Sequence, residues 1–113
     1  MKRNTKMFFE DILDAIDKIQ LYLKKTKTKE EFLKNVLVQD AVERRFIIIG
    51  EAFSRIKYNT PEDHPDFPAI QAISMRNYLV HEYEKIKPVI VWETARDDLP
   101  NLEKKIKKLL ETY

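Results

Sequence analysis

A chain of 113 residues provides for one domain, and 43% apolar residues are enough to fill its core. One glycine and five prolines leave little material for hairpin turns, so an all-α bundle is expected in place of a sheet protein. The absence of cysteine excludes disulfides and thiolate metal sites, and a net charge of +2 excludes a bulk polyanion binder. The opening MKRNTKMFFEDI turns acidic before any uninterrupted apolar run forms, so no leader or membrane span is expected and cytoplasm is the default location.

The first helix is expected from Asn4 or Thr5 to about Lys25, with Phe8, Ile12, Ala15, Ile19 and Tyr22 or Leu23 recurring at helical spacing. Thr28 and Glu31 form a capping-box pattern that opens a short helical turn through Phe32 and Leu33. A long second helix then runs from about Val36 to Lys57. Its stripe is Val42, Phe46, Ile49, Phe53 and Ile56, a spacing suited to antiparallel packing. Ile47 and Ile48 fall outside that stripe, so a second side of this helix must be covered. A partner copy in a homodimer would cover it, as would neighbouring segments of the same chain; periodicity leaves both open.

Tyr58 to Pro68 carries three prolines and reads as a loop, with His64 as exposed loop chemistry and not a metal ligand. A third helix is expected over Ala69 to Tyr83. Pro88 suits the first turn of a final helix, and Pro100 should kink or restart it. Leu102, Ile106, Leu109 and Leu110 carry the apolar face of the second half. The architecture expected is one domain over residues 1–113, with four principal helices and a short extra one. Two lysine clusters, Lys24, Lys25, Lys27, Lys29 and Lys104, Lys105, Lys107, Lys108, read as solvated helix ends before they read as a nucleic-acid patch.

Chemistry concentrates in Arg76-Asn77-Tyr78-Leu79-Val80-His81-Glu82-Tyr83. Arg holds phosphate through a planar fork of donors, and imidazole takes and gives protons near neutral pH. On a regular helix Asn77 and His81 are neighbours, Arg76 and Tyr83 are nearly aligned, and all four fall within an arc of roughly 160°. Fraying near His81 to Tyr83 would change that geometry. Singly, each residue has an ordinary alternative. Arg76 could pair with a surface acid, His81 could meet the helix C-terminal dipole, Asn77 could be an exposed polar residue, and Tyr83 could pack on Trp92.

The segment resembles the R-x-x-x-x-H-x-Y signature of HEPN domains, in particular HepT-like toxins encoded beside small nucleotidyltransferases. Gln39-Asp40-Ala41-Val42 leading into Ile49-Gly50-Glu51-Ala52, and Val91-Trp92-Glu93 leading into Asp98-Leu99-Pro100, resemble the same family in order and spacing. The co-occurrence of these blocks outweighs the single-residue alternatives. The resemblance implies a metal-independent endoribonuclease without a cofactor, acting by 2′-hydroxyl attack across a homodimer cleft. It implies Arg76 on the phosphate, His81 in proton transfer, and Asn77 orienting His81 or donating to a phosphate oxygen. It also implies Tyr83 as the acceptor of AMP groups from a cognate MNT-type nucleotidyltransferase antitoxin, with which the dimer could form a larger assembly. Glu51 is a possible cleft-lining partner of Arg76. A non-catalytic HEPN module that binds nucleotide or serves the nucleotidyltransferase is the alternative.

Overall fold

The structure, a computed structural model, describes residues 2–59 and 66–113. Its elements are α1 (Lys2–Leu23), α2 (Lys29–Leu33), α3 (Val36–Asn59), α4 (Asp66–His81), a single 3₁₀ turn at Tyr83–Lys85, α5 (Pro88–Asp97) and α6 (Leu99–Leu110). No strand occurs among the described residues, and the chain is an all-α bundle.

Helices α1 and α3 form the heart of the bundle. The stripe Val42, Phe46, Ile49, Phe53 and Ile56 is buried, and it meets Phe9, Ile12, Ala15, Ile16 and Ile19 from α1. Each large apolar side chain so buried contributes roughly 1.5–3 kcal/mol relative to exposure. Phe9, not Phe8, enters the core; Phe8 is only partly covered. The expected α1 stripe was therefore one residue off at its start, because a doublet of phenylalanines satisfies the period either way.

Local chemistry fixes the connections. Thr28 caps α2 by accepting a hydrogen bond from the Glu31 backbone N–H at 3.2 Å. The Glu31 carboxylate accepts from the Lys27 backbone N–H, one residue before the usual reciprocal donor of a capping box. Buried Gln39 donates from Nε2 to the Phe32 carbonyl at 2.8 Å, a second hydrogen bond on an oxygen that also accepts from the Asn35 N–H, and so ties the start of α3 to the end of α2. Asn35 accepts from the Val38 N–H and caps α3. Pro88 opens α5, and the helix breaks at Asp98 before restarting with Pro100 in its first turn, as the proline positions predict. Helix α6 lies antiparallel to α1, since Gln20 meets Glu103 while the Phe9 ring meets Tyr113.

Two boundaries differ from expectation. The 58–68 stretch is not wholly a loop: α3 continues through Asn59, and α4 begins at Asp66. Tyr58 and Asn59 precede the first Pro-restricted position, Thr60, and Pro68 lies in the first helical turn, where its missing N–H is tolerated. His64 lies outside the described residues. At the other end α4 stops at His81 and not Tyr83, because Glu82 leaves helical geometry at φ −114°, ψ 30°.

Glu43 on α3 carries the one resolved pKa perturbation among the described groups. Partial burial, then the neighbouring Asp40 charge, hold its carboxyl above the ordinary range. A raised native pKa means the folded state binds the proton more tightly, so stability falls as pH rises through that range. Glu43→Gln is therefore expected to raise the melting temperature at pH 7. The advantage should vanish below the pKa of the unfolded carboxyl, where both variants are neutral. Thermal melts at the two pH values check this.

Candidate functional site

Gly50 is the point from which the site is built. A Cβ at this position would collide with the Cβ of Arg76 and lie 2.8 Å from the carbonyl oxygen of Ala72. Glycine thus lets α4 approach α3 backbone to backbone. The next residue on α3, Glu51, is thereby brought level with Arg76. Arg76 Nε donates to Glu51 Oε1 at 2.6 Å, so the pairing expected of Glu51 is present. Arg76 Nη1 donates to Asn77 Oδ1 at 2.7 Å. The Arg76 side chain is 29% exposed, and its guanidinium retains three N–H donors.

Asn77 therefore serves Arg76, and its amide nitrogen remains to donate elsewhere. His81 ends α4, is exposed, and has no hydrogen-bond partner among the described residues. Five helical positions separate it from Arg76, an angular offset of about 140° around α4. Both groups belong to the C-terminal part of one helix, but they do not point the same way.

Tyr83 departs from the expected alignment with Arg76, because it sits on the 3₁₀ turn past the end of α4. It is 71% exposed, which rules out the alternative of a core residue packed on Trp92. Arg96 covers the Trp92 ring instead, its guanidinium carbon 5.1 Å from the ring centre. The turn is held by a residue that sequence reasoning assigned no role. Tyr78 accepts a hydrogen bond from the Lys87 N–H at 2.7 Å and donates to the Lys85 carbonyl at 3.3 Å. No sequence pattern pairs a helical tyrosine with a backbone nine residues on. Gly50 did carry a signal, since a lone glycine inside a helical pattern marks close packing.

Among the described residues no three His, Cys, Asp or Glu side chains converge to hold a metal ion. No described helix is long and apolar enough to cross a membrane. Ile47 and Ile48 are half-buried against the core and border an open groove beside α1.

Comparison with known proteins agrees with the signature. The sequence pattern of the family described as "Ribonuclease HepT-like" matches residues 12–109. A protein of Methanocaldococcus jannaschii, by its name a predicted RNase, is 34% identical over 97% of this chain and 90% of its own length. Another from the same organism, named likewise, is 34% identical over 97% of this chain and 94% of its own length. A "Probable ribonuclease HepT" of Thermococcus cleftensis is 36% identical over 96% of this chain and 98% of its own length. No solved structure matches.

The helix contact and the Arg76 placement should fail together. Gly50→Ala is expected to destabilise the fold by about 1–3 kcal/mol, the usual range for overpacking. It should also displace α4 and separate Arg76 from Glu51. Urea unfolding and the NMR shift of Arg76 Nε check the two effects.

Proposed function

The chain belongs to the HepT-like ribonuclease family, and on that premise we propose that it is the toxin of a toxin–antitoxin pair, a metal-independent endoribonuclease working as a homodimer. The observation that carries this reading is a guanidinium fixed by Glu51 and Asn77 with three donors unspent, followed on the same helix by an exposed imidazole.

In the proposed reaction a ribose 2′-oxygen attacks the adjacent phosphorus and the bond to the 5′-oxygen breaks. The products are a 2′,3′-cyclic phosphate and a free 5′-hydroxyl. Arg76 neutralises the phosphate as negative charge builds, and the Asn77 amide adds a donor. One His81 accepts the 2′-hydroxyl proton while a second, protonated, supplies one to the leaving oxygen. A single imidazole cannot do both in one step. The offset of Arg76 and His81 around α4 supports the same division, since facing copies can bring the arginine of one and the histidine of the other to one linkage.

Tyr83 is the proposed control point. Its exposed hydroxyl would attack the α-phosphate of ATP in the active site of a cognate nucleotidyltransferase, releasing pyrophosphate and leaving AMP on the ring. The added phosphate and adenosine would compete for Arg76 and obstruct the cleft.

Purified unmodified protein should cleave RNA in the presence of chelator and leave DNA intact. His81→Ala should reduce the rate by about 10²–10⁴-fold, the usual contribution of general acid–base catalysis. Cleavage that survives in this variant at full rate would exclude the assigned chemistry. Saturable binding to the nucleotidyltransferase with no cleavage by wild type would instead favour a non-catalytic module. Control is read separately by intact mass: co-expression with the genomic nucleotidyltransferase should add one or more AMP units, and Tyr83→Phe should abolish the gain.

A further inference from the structure

Helix α3 carries a row of charge that the proposed reaction does not use. Arg44, Glu51 and Arg55 are seven and four residues apart, which places them within about 40° of one another around the helix and over roughly 16 Å of its length. All three border a groove of about 290 Å³ between α3 and α1, whose other wall is formed by Phe8 and Asp11 and whose floor includes Ile48. Arg44 and Arg55 are exposed, and neither makes an ion pair among the described residues. The negative charge of Glu51, which lies between the two arginines along the row, is already matched by Arg76 of α4.

We infer that this groove is an RNA track in which Arg44 and Arg55 grip phosphates on either side of the one held by Arg76. The inference rests on the ribonuclease reading and extends it to substrate positioning. The roughly 16 Å row far exceeds the ~3.4 Å rise of one stacked nucleotide, so one strand can meet Arg44 and Arg55 through different phosphates. The exposed edge of the partly buried Phe8 ring gives a base a stacking surface on the opposite wall. Asp11 is the one acid in the groove not already matched by a cation; it repels phosphate and keeps the backbone against α3. A second copy fits this face poorly. In a two-fold interface the patch meets itself, setting two unpaired arginines per copy against one acid and burying the surplus charge. A single strand brings an anion with each nucleotide.

The test is binding of a 2′-O-methyl RNA oligonucleotide, which lacks the attacking hydroxyl, measured by anisotropy across a salt series. Arg44→Ala and Arg55→Ala should each weaken binding several-fold and flatten the slope of log K against log salt by about 0.7, the value for one lost single-strand phosphate contact. Asp11→Asn should tighten binding, and Lys105→Ala on α6 should leave the slope in place. Both arginines are exposed, so the variants keep the fold. Unchanged slopes in both arginine variants, with wild type binding normally, would overturn the track while leaving the ribonuclease reading standing. A change of native mass in either arginine variant would also overturn it, by making the groove an interface between copies. Wild type that binds the oligonucleotide but never cleaves RNA would sink the ribonuclease reading instead.

Discussion

At Gly50 the backbones of α3 and α4 come close enough that even a methyl group cannot stand between them. The placement of Arg76 at the candidate site follows from that approach. It brings Glu51 within 2.6 Å of the Arg76 guanidinium, and Arg76 in turn reaches Asn77. The ion pair itself does little for stability, since a pair with Glu51 46% exposed contributes at most about 1 kcal/mol. The apolar contacts of α1 with α3 outweigh it many times. Its effect is on position: a long side chain with about 2 kcal/mol of rotamer entropy is held in one orientation before any ligand arrives.

That preorganisation has an electrostatic counterpart. Glu51 removes one N–H donor and part of the attraction that Arg76 would exert on a phosphate, so a lone Arg76 is a weakened anion site. In the proposed dimer two such guanidiniums and two imidazoles converge, and the paired site regains the positive charge that each copy alone lacks. The α1–α3 groove would add two further cations that make no ion pair among the described residues.

Much of the fold was legible because helical periodicity is a strong signal where one face is buried. Val42 through Ile56 fell on the core as read, and Thr28, Pro88 and Pro100 marked boundaries through their own backbone chemistry. The failures were at places where period gives no answer. Phe8 and Phe9 are adjacent and equally apolar, so only packing chooses between them. The turn that follows α4 is held by the Tyr78 hydroxyl reaching the backbone of Lys85 and Lys87, a contact between segments whose relative placement no local pattern encodes. Arg44 and Arg55 passed unnoticed for a related reason: surface arginines on a helix are unremarkable until the neighbouring helix makes a groove of them.

The exposed 3₁₀ turn fits its proposed role because of how little holds it. None of its residues is buried, and Tyr78 provides its side-chain tether to the bundle. Segments of that kind open at free energies far below global unfolding. In the proposed regulation Tyr83 must enter the active site of another enzyme, which a residue seated in the core could not do without exposing Val42 or Phe53. In that proposal the acceptor stands on a weakly held turn while Arg76 stays on a helix locked at Gly50, so that one segment would act as a substrate and the adjacent one as a rigid anion site. A continuous α4 through Tyr83 would couple the two, so the break at Glu82 is the feature that would keep the proposed modification independent of the fold.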